Sequence, residues 1–233
     1  MTNKPLIPLV MIIVVLLMGC TTTNREEGVS ALEAENALRE VIVLASQAID
    51  ANLFNTVEVE VLLPEEAKHF STLQEIPLFL DHLESWQEEV LQALRVVLVQ
   101  TPALLETYMH QVAWEHPQAA LIQGDQSASR ELRKQQGEAI KEEITVRLQD
   151  ALKPSNEIWD LLLERYGIWQ KGTLLWGERE LEEVNTTPLE HLSTLFLETY
   201  YEELANQEER LRTTPVPKGS GSLLELFQQD VKP

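Results

Sequence analysis

The chain has 233 residues and a formal net charge of -20, with 44% hydrophobic and 24% charged residues. That balance belongs to a globular protein of one ordinary domain or two small ones, and it excludes a disordered chain. The acidic field repels phosphate backbones and anionic lipid surfaces, which sets nucleic acid aside as a partner. With Cys20 as its only cysteine, the chain can form no internal disulfide, so the fold must rest on an apolar core.

Lys4 makes a short positive start, and residues 6–18 are apolar apart from Pro8. The run is too short to span a bilayer as a helix and has the length of a signal-peptide core. It closes on Leu17-Met18-Gly19-Cys20, which resembles the lipobox of bacterial lipoproteins. The resemblance implies that residues 1–19 are a signal peptide cut after Gly19 and that Cys20 is the lipid-attachment site. The competing reading is an uncleaved signal anchor. Acyl chains on Cys20 make the membrane a partner through the N-terminal lipid, since each buried methylene contributes about 0.8 kcal/mol. Thr21 stands where an Asp would favour retention at the inner membrane. Its absence leans toward the periplasmic side of the outer membrane in a diderm cell. Residues 20–29 are polar and read as a flexible tether.

Helix signals dominate the rest. Ser30 and Glu33 spell a capping box, and Leu38, Val41, Ile42, Ala45 and Ile49 follow at helical spacing, predicting a helix to about Ala51. Residues 57–63 alternate Val with Glu and read as an extended segment or small hairpin. Pro64 then opens a short helix with Glu65 and Glu66 in its first turn. Leu83, Trp86, Val90, Leu94 and Val97 predict a long helix over 77–100. Thr101 as N-cap and Pro102 start another, burying Leu105, Tyr108, Met109 and Val112, which His116-Pro117 breaks.

A short turn of helix ends at Gly124, and residues 125–127 supply N-cap chemistry for a helix to about Leu152. Lys153-Pro154-Ser155 closes that helix and opens the next. Residues 156–183 hold Trp159, Trp169 and Trp176 among three glycines, predicting two short helices around a loop. Thr187-Pro188-Leu189-Glu190 combines an N-cap, a proline and a capping-box Glu, starting a helix to about Arg212. Residues 214–222 are a linker by composition, and the tail beyond carries Leu223, Leu224, Leu226 and Phe227. Taken together these elements predict an all-α, helical-bundle-like domain over 30–213, with at most a short extended segment or hairpin near 57–63, followed by a linker and tail over 214–233.

Two stretches carry a family resemblance. Residues 116–133 read His-Pro-Gln-Ala-Ala-Leu-Ile-Gln-Gly-Asp-Gln-Ser-Ala-Ser-Arg-Glu-Leu-Arg, and residues 208–215 read Glu-Glu-Arg-Leu-Arg-Thr-Thr-Pro. They resemble the bacterial domain of unknown function catalogued as family 4197, whose members pair a run ending Leu-x-Gly-Gly-Asp with a late Glu-Glu-x-x-Ile-Arg-x-x-Pro. Residues 59–65 resemble that family's extended stretch. Gln123 and Leu211 depart from the pattern. The resemblance implies an all-helical fold behind an export signal, and no activity.

No catalytic, cofactor or metal constellation stands out. Glu106 and His110 share a helix face, with Glu115 and His116 next, but zinc requires three or four converging ligands. His191 beside Glu190 is a weaker candidate. The doublets Glu142-Glu143, Glu182-Glu183, Glu202-Glu203 and Glu208-Glu209 point about 100° apart on a helix and read as solvated faces. Nothing marks a nucleophile or a phosphate loop. Arg130, Arg133 and Lys134 stand out in an acidic chain and are read as pairing with Glu208 and Glu209 in a seam between helices, or as binding an anion. Tryptophans and tyrosines read as core, with a ligand groove as the alternative. The apolar tail docks back, is disordered, or recognises an envelope protein partner. The function expected is a membrane-anchored envelope lipoprotein acting as a non-enzymatic binding or interaction module. The alternative is a hydrolase or metal-dependent enzyme whose site assembles from distant residues.

Overall fold

Seven α-helices and one 3-10 helix account for the described structure: α1 (Ala31–Gln47), α2 (Val59–Leu62), the 3-10 helix Glu65–Thr72, α3 (Phe79–Met109), α4 (Pro117–Ile122), α5 (Ser127–Ala151), α6 (Lys153–Leu175) and α7 (Leu189–Thr213). They belong to a computed structural model that describes residues 29–122, 126–175, 183–214 and Leu226. The fold is all-α, as its sequence periodicity requires. The leader, Cys20, most of the tether, Asp125, Trp176, Glu182 and the tail other than Leu226 lie outside the described residues. No helix among the described residues is long and apolar enough to cross a membrane.

α1 is the centre of the assembly, packing on α3, α4, α5 and α7. Its capping box forms as its sequence dictates. Ser30 Oγ accepts from the Glu33 backbone N–H at 3.2 Å, and the Ser30 N–H donates to the Glu33 carboxylate at 2.9 Å. Those bonds from Ser30 hold the Glu33 carboxyl below its ordinary value. Ala34, Ala37, Leu38, Val41, Ile42 and Ala45 are fully buried. Three alanines on that face let neighbouring helices approach closely.

The segment 57–63 is not extended. Val59–Leu62 forms one turn of helix, with Val61 N–H donating to the Glu58 carbonyl and Leu63 N–H to that of Val59. A strand needs a neighbour to take up its ladder, and the described residues contain none; a single turn bonds to itself. Leu62 and Leu63 are thereby buried. His191 Nε2 lies 2.8 Å from the Val61 carbonyl, tying the turn to α7.

The two helices expected over 77–112 are one, α3, which carries Pro102 in its interior. Thr101 is fully buried and does not cap anything. Its hydroxyl donates to the Val97 carbonyl at 2.8 Å, beside the place where proline supplies no N–H. The apolar stripe continues through the proline in Leu104, Leu105 and Met109, and that burial outweighs the local break. α6 likewise runs unbroken through Gly167 and Gly172, where two short helices were expected. Interior glycine costs about 1 kcal/mol per residue, which the burial of Trp159, Leu162 and Tyr166 exceeds. α7 starts one residue later than its sequence signal, with Pro188 at the cap position and no side-chain cap bond from Thr187.

One aromatic cluster fills the space between α3, α6 and the 3-10 helix, and a second joins Phe54, Phe196, Tyr200 and Tyr201. Phe70 sits 5.1 Å from Phe79 and from Tyr166 and 5.7 Å from Trp159, which in turn lies 5.1 Å from Trp86. Leu226 is half-buried against the core; the rest of the expected tail lies outside the described residues.

Candidate functional site

α5 and α7 run antiparallel, and the first half of α5 is where the sequence placed its basic residues. The structure changes their partners. Glu208 on α7 is fully buried and accepts from the backbone N–H groups of Ala128 and Ser129, at 3.1 and 2.8 Å. Those are two of the free donors of the first turn of α5. The residue before that turn, Gln126, adopts φ 65° and gives no side-chain cap. The cap therefore comes from 80 positions away, with a full negative charge at the positive end of the helix dipole. Arg212 closes the arrangement, donating Nε and Nη2 to Glu208 at 2.9 and 2.6 Å. It also donates to the Leu121 carbonyl at 3.2 Å and the Ser127 hydroxyl at 2.8 Å. The expected seam exists, but Glu208 meets backbone and its own helix, not Arg130, Arg133 or Lys134. Glu209 is exposed, and Lys134 pairs with Glu131 at 3.3 Å.

Next to this latch, α5 and α7 leave a trough of about 400 Å³ bordered by Ser129, Arg130 and Arg133 on one side and by Glu198, Tyr201 and Glu202 on the other. A second hollow of about 220 Å³ continues it past Gly137 toward Lys141. Tyr201 is 6% exposed, and its hydroxyl is buried without a hydrogen-bond partner among the described residues. The Arg133 guanidinium lies over its ring, 5.2 Å from the centroid. Arg133, Glu198 and Glu202 take part in no ion pair among the described residues.

Burial pushes the Tyr201 phenol up to about 12, with the Arg133 charge pulling the other way. Burial also raises Tyr200, which Ser46 partly offsets. Both must stay neutral in the folded state. Their folded values exceed the unfolded value of about 10, so their contribution is complete below that pH and is lost as pH rises toward the folded values. We expect phenolate absorbance from both to appear only with alkaline unfolding. Ionisation of both near pH ~10 in protein still folded by circular dichroism would contradict this.

Gly137 contributes to the second hollow by lacking a side chain in the middle of α5. A Cβ there would meet only Arg133 Cγ, at 3.7 Å, an ordinary contact. Packing therefore does not require glycine, although glycine costs the helix about 1 kcal/mol against alanine.

A third hollow of about 260 Å³ lies on the other side of α5, between Trp114, His116, Ser127 and Lys134. Gln135 pins its rim, exchanging two bonds with the Ala113 backbone at 2.9 and 2.8 Å. Its amide also donates to Glu131, and that bond leads the causes lowering the Glu131 carboxyl, with Lys134 adding to it.

The Glu and His residues weighed as metal ligands do not converge. α3 ends at Met109, so Glu115 and His116 are not a further turn of the helix carrying Glu106 and His110, and all four are exposed. Among the described residues no three His, Cys, Asp or Glu side chains form a cluster. His191 is occupied with Val61. Of the tryptophans, Trp86 and Trp159 are core and Trp114 faces the third hollow. Glu198 and Gly137, which border the two hollows, were not singled out from the sequence. Glycine inside a helical run was the one available signal.

Comparison with protein-family models, with curated proteins and with solved structures finds no match to this chain.

Proposed function

We propose that this chain is a lipid-anchored envelope protein whose helical domain is a binding module, with the trough between α5 and α7 as its ligand site. The anchoring half is supported by Lys4, the apolar run 6–18 and the Leu17-Met18-Gly19-Cys20 sequence. Acyl chains on Cys20 would hold an acidic domain beside the membrane without inserting it, on the periplasmic face of the outer membrane in a diderm cell. The binding half is carried by one observation: an open trough with Arg133 on one wall facing Glu198 and Glu202 on the other, these three in no ion pair among the described residues, and lined by the buried Tyr201. Nucleophilic catalysis needs a nucleophile beside a base. Among the described residues lining the trough there is no histidine, and the Ser129 hydroxyl is committed to the Gln126 carbonyl at 3.1 Å.

Metabolic palmitate labelling is expected to mark the wild type and not Cys20→Ser. Equal labelling of both would sink the anchoring half. For the binding half, hydrogen exchange over 194–205 should slow when the mature protein meets the small-molecule fraction of the cell envelope. Turnover of a generic ester, peptide or glycan substrate by the purified protein would overturn the non-enzymatic reading.

A further inference from the structure

The trough presents opposite charges that face each other without touching. On the α5 side, the Arg133 guanidinium lies over the Tyr201 ring, 5.2 Å from its centroid, and is paired with no carboxylate among the described residues. On the α7 side, Glu198 and Glu202 are one helical turn apart, exposed, and not ion-paired. Two surface helices with such residues would ordinarily close the gap with direct i-to-j ion pairs. Here about 400 Å³ separates the walls.

A simple anion drawn to Arg133 meets the repulsion of two carboxylates and of a chain carrying -20 overall. A simple cation drawn to Glu198 and Glu202 meets Arg130 and Arg133. Only a ligand carrying both charges a short distance apart satisfies both walls. A carboxylate fits the guanidinium fork bidentately, and an ammonium fits between two carboxylates. Tyr201 lines the trough between these charges. Gly137 leaves room beside these groups that packing does not demand.

We infer that the trough between α5 and α7 binds a small zwitterion, its carboxylate on Arg133 and its ammonium at Glu198 and Glu202. The chemistry is shared by free α-amino acids and short unblocked peptides, and the volume admits either. The inference deepens the binding-module reading and rests on it.

The test uses the mature chain with Cys20→Ser, titrated calorimetrically and by hydrogen exchange over 130–141 and 194–205. The probes are L-leucine, tri-alanine, tri-alanine blocked at one end or the other, acetate and ethylammonium. Saturable binding of L-leucine or tri-alanine is expected, and which of the two binds tighter assigns the source. Blocking either end should weaken binding at least tenfold. Arg133→Met should abolish it. So should the double variant Glu198→Gln, Glu202→Gln, whose positions are exposed, so loss of fold is not its expected effect. Retention of binding in either variant overturns the inference. Saturable binding of acetate or ethylammonium alone also overturns it but keeps the trough as a ligand site. No binding and no protection by any probe overturns the zwitterion and the binding-module reading at this site together.

Discussion

Replacing Glu208 by alanine is expected to cost about 3–5 kcal/mol of stability, the range for breaking a buried ion pair by removing one partner. Three things happen at once. Arg212, 8% exposed, keeps its charge and loses its carboxylate. The backbone N–H groups of Ala128 and Ser129, in buried residues of the first turn of α5, lose their acceptor. The negative charge at the start of α5 disappears. In a domain of this size that loss lowers Tm by roughly 10 °C. Glu208→Gln keeps the shape and one acceptor oxygen, and should fall between wild type and alanine. The double variant Glu208→Leu, Arg212→Met removes the buried charge along with its partner. It should recover part of the loss, but not all, since the α5 donors still lack an acceptor. Urea unfolding of the mature chain with Cys20→Ser measures each step. A loss below about 1 kcal/mol for Glu208→Ala would show that water reaches these groups and that the latch is not closed.

Trp159→Ala is the second large effect. The side chain is 2% exposed, and it stands between Trp86 and Phe70. Its indole N–H donates to the Thr186 carbonyl at 3.2 Å, fastening the segment that leads into α7. Truncation removes a large apolar group, leaves a cavity and strands that carbonyl, for an expected loss of about 3–5 kcal/mol. Trp159→Phe keeps most of the volume and should cost clearly less. Trp169, half-buried at 6.1 Å from Tyr166, is the control, and its alanine variant should be the milder of the two. Equal effects at both positions would mean that the aromatic cluster is not the centre of the core.

These two sites differ in how far they could be anticipated. The stripes of α1 and α3 were readable because burial of one helix face imposes a period of three and four, and Leu38, Val41, Ile42, Trp86 and Val90 are buried as that period requires. The Ser30–Glu33 box was readable because both partners lie within one turn. Trp159 as core followed from the same logic of apolar residues. Where local rules alone were applied, at Pro102 and at the α6 glycines, they predicted breaks that burial overrode.

By itself, then, the sequence determined the all-helical class, the main buried faces, the local cap and the acidic surface, since each depends on residues near one another in the chain. Only the tertiary structure decided the rest. The turn at 59–62 is helical because no strand lies beside it. Glu208, one of several acidic doublets, became a buried cap because α7 lays it on the start of α5. Arg133, Gly137, Glu198, Tyr201 and Glu202 became a trough through the same crossing. Such partners lie some 60 to 80 positions apart, and helical periodicity carries information only over a few turns, so it says which face is buried but not what it is buried against.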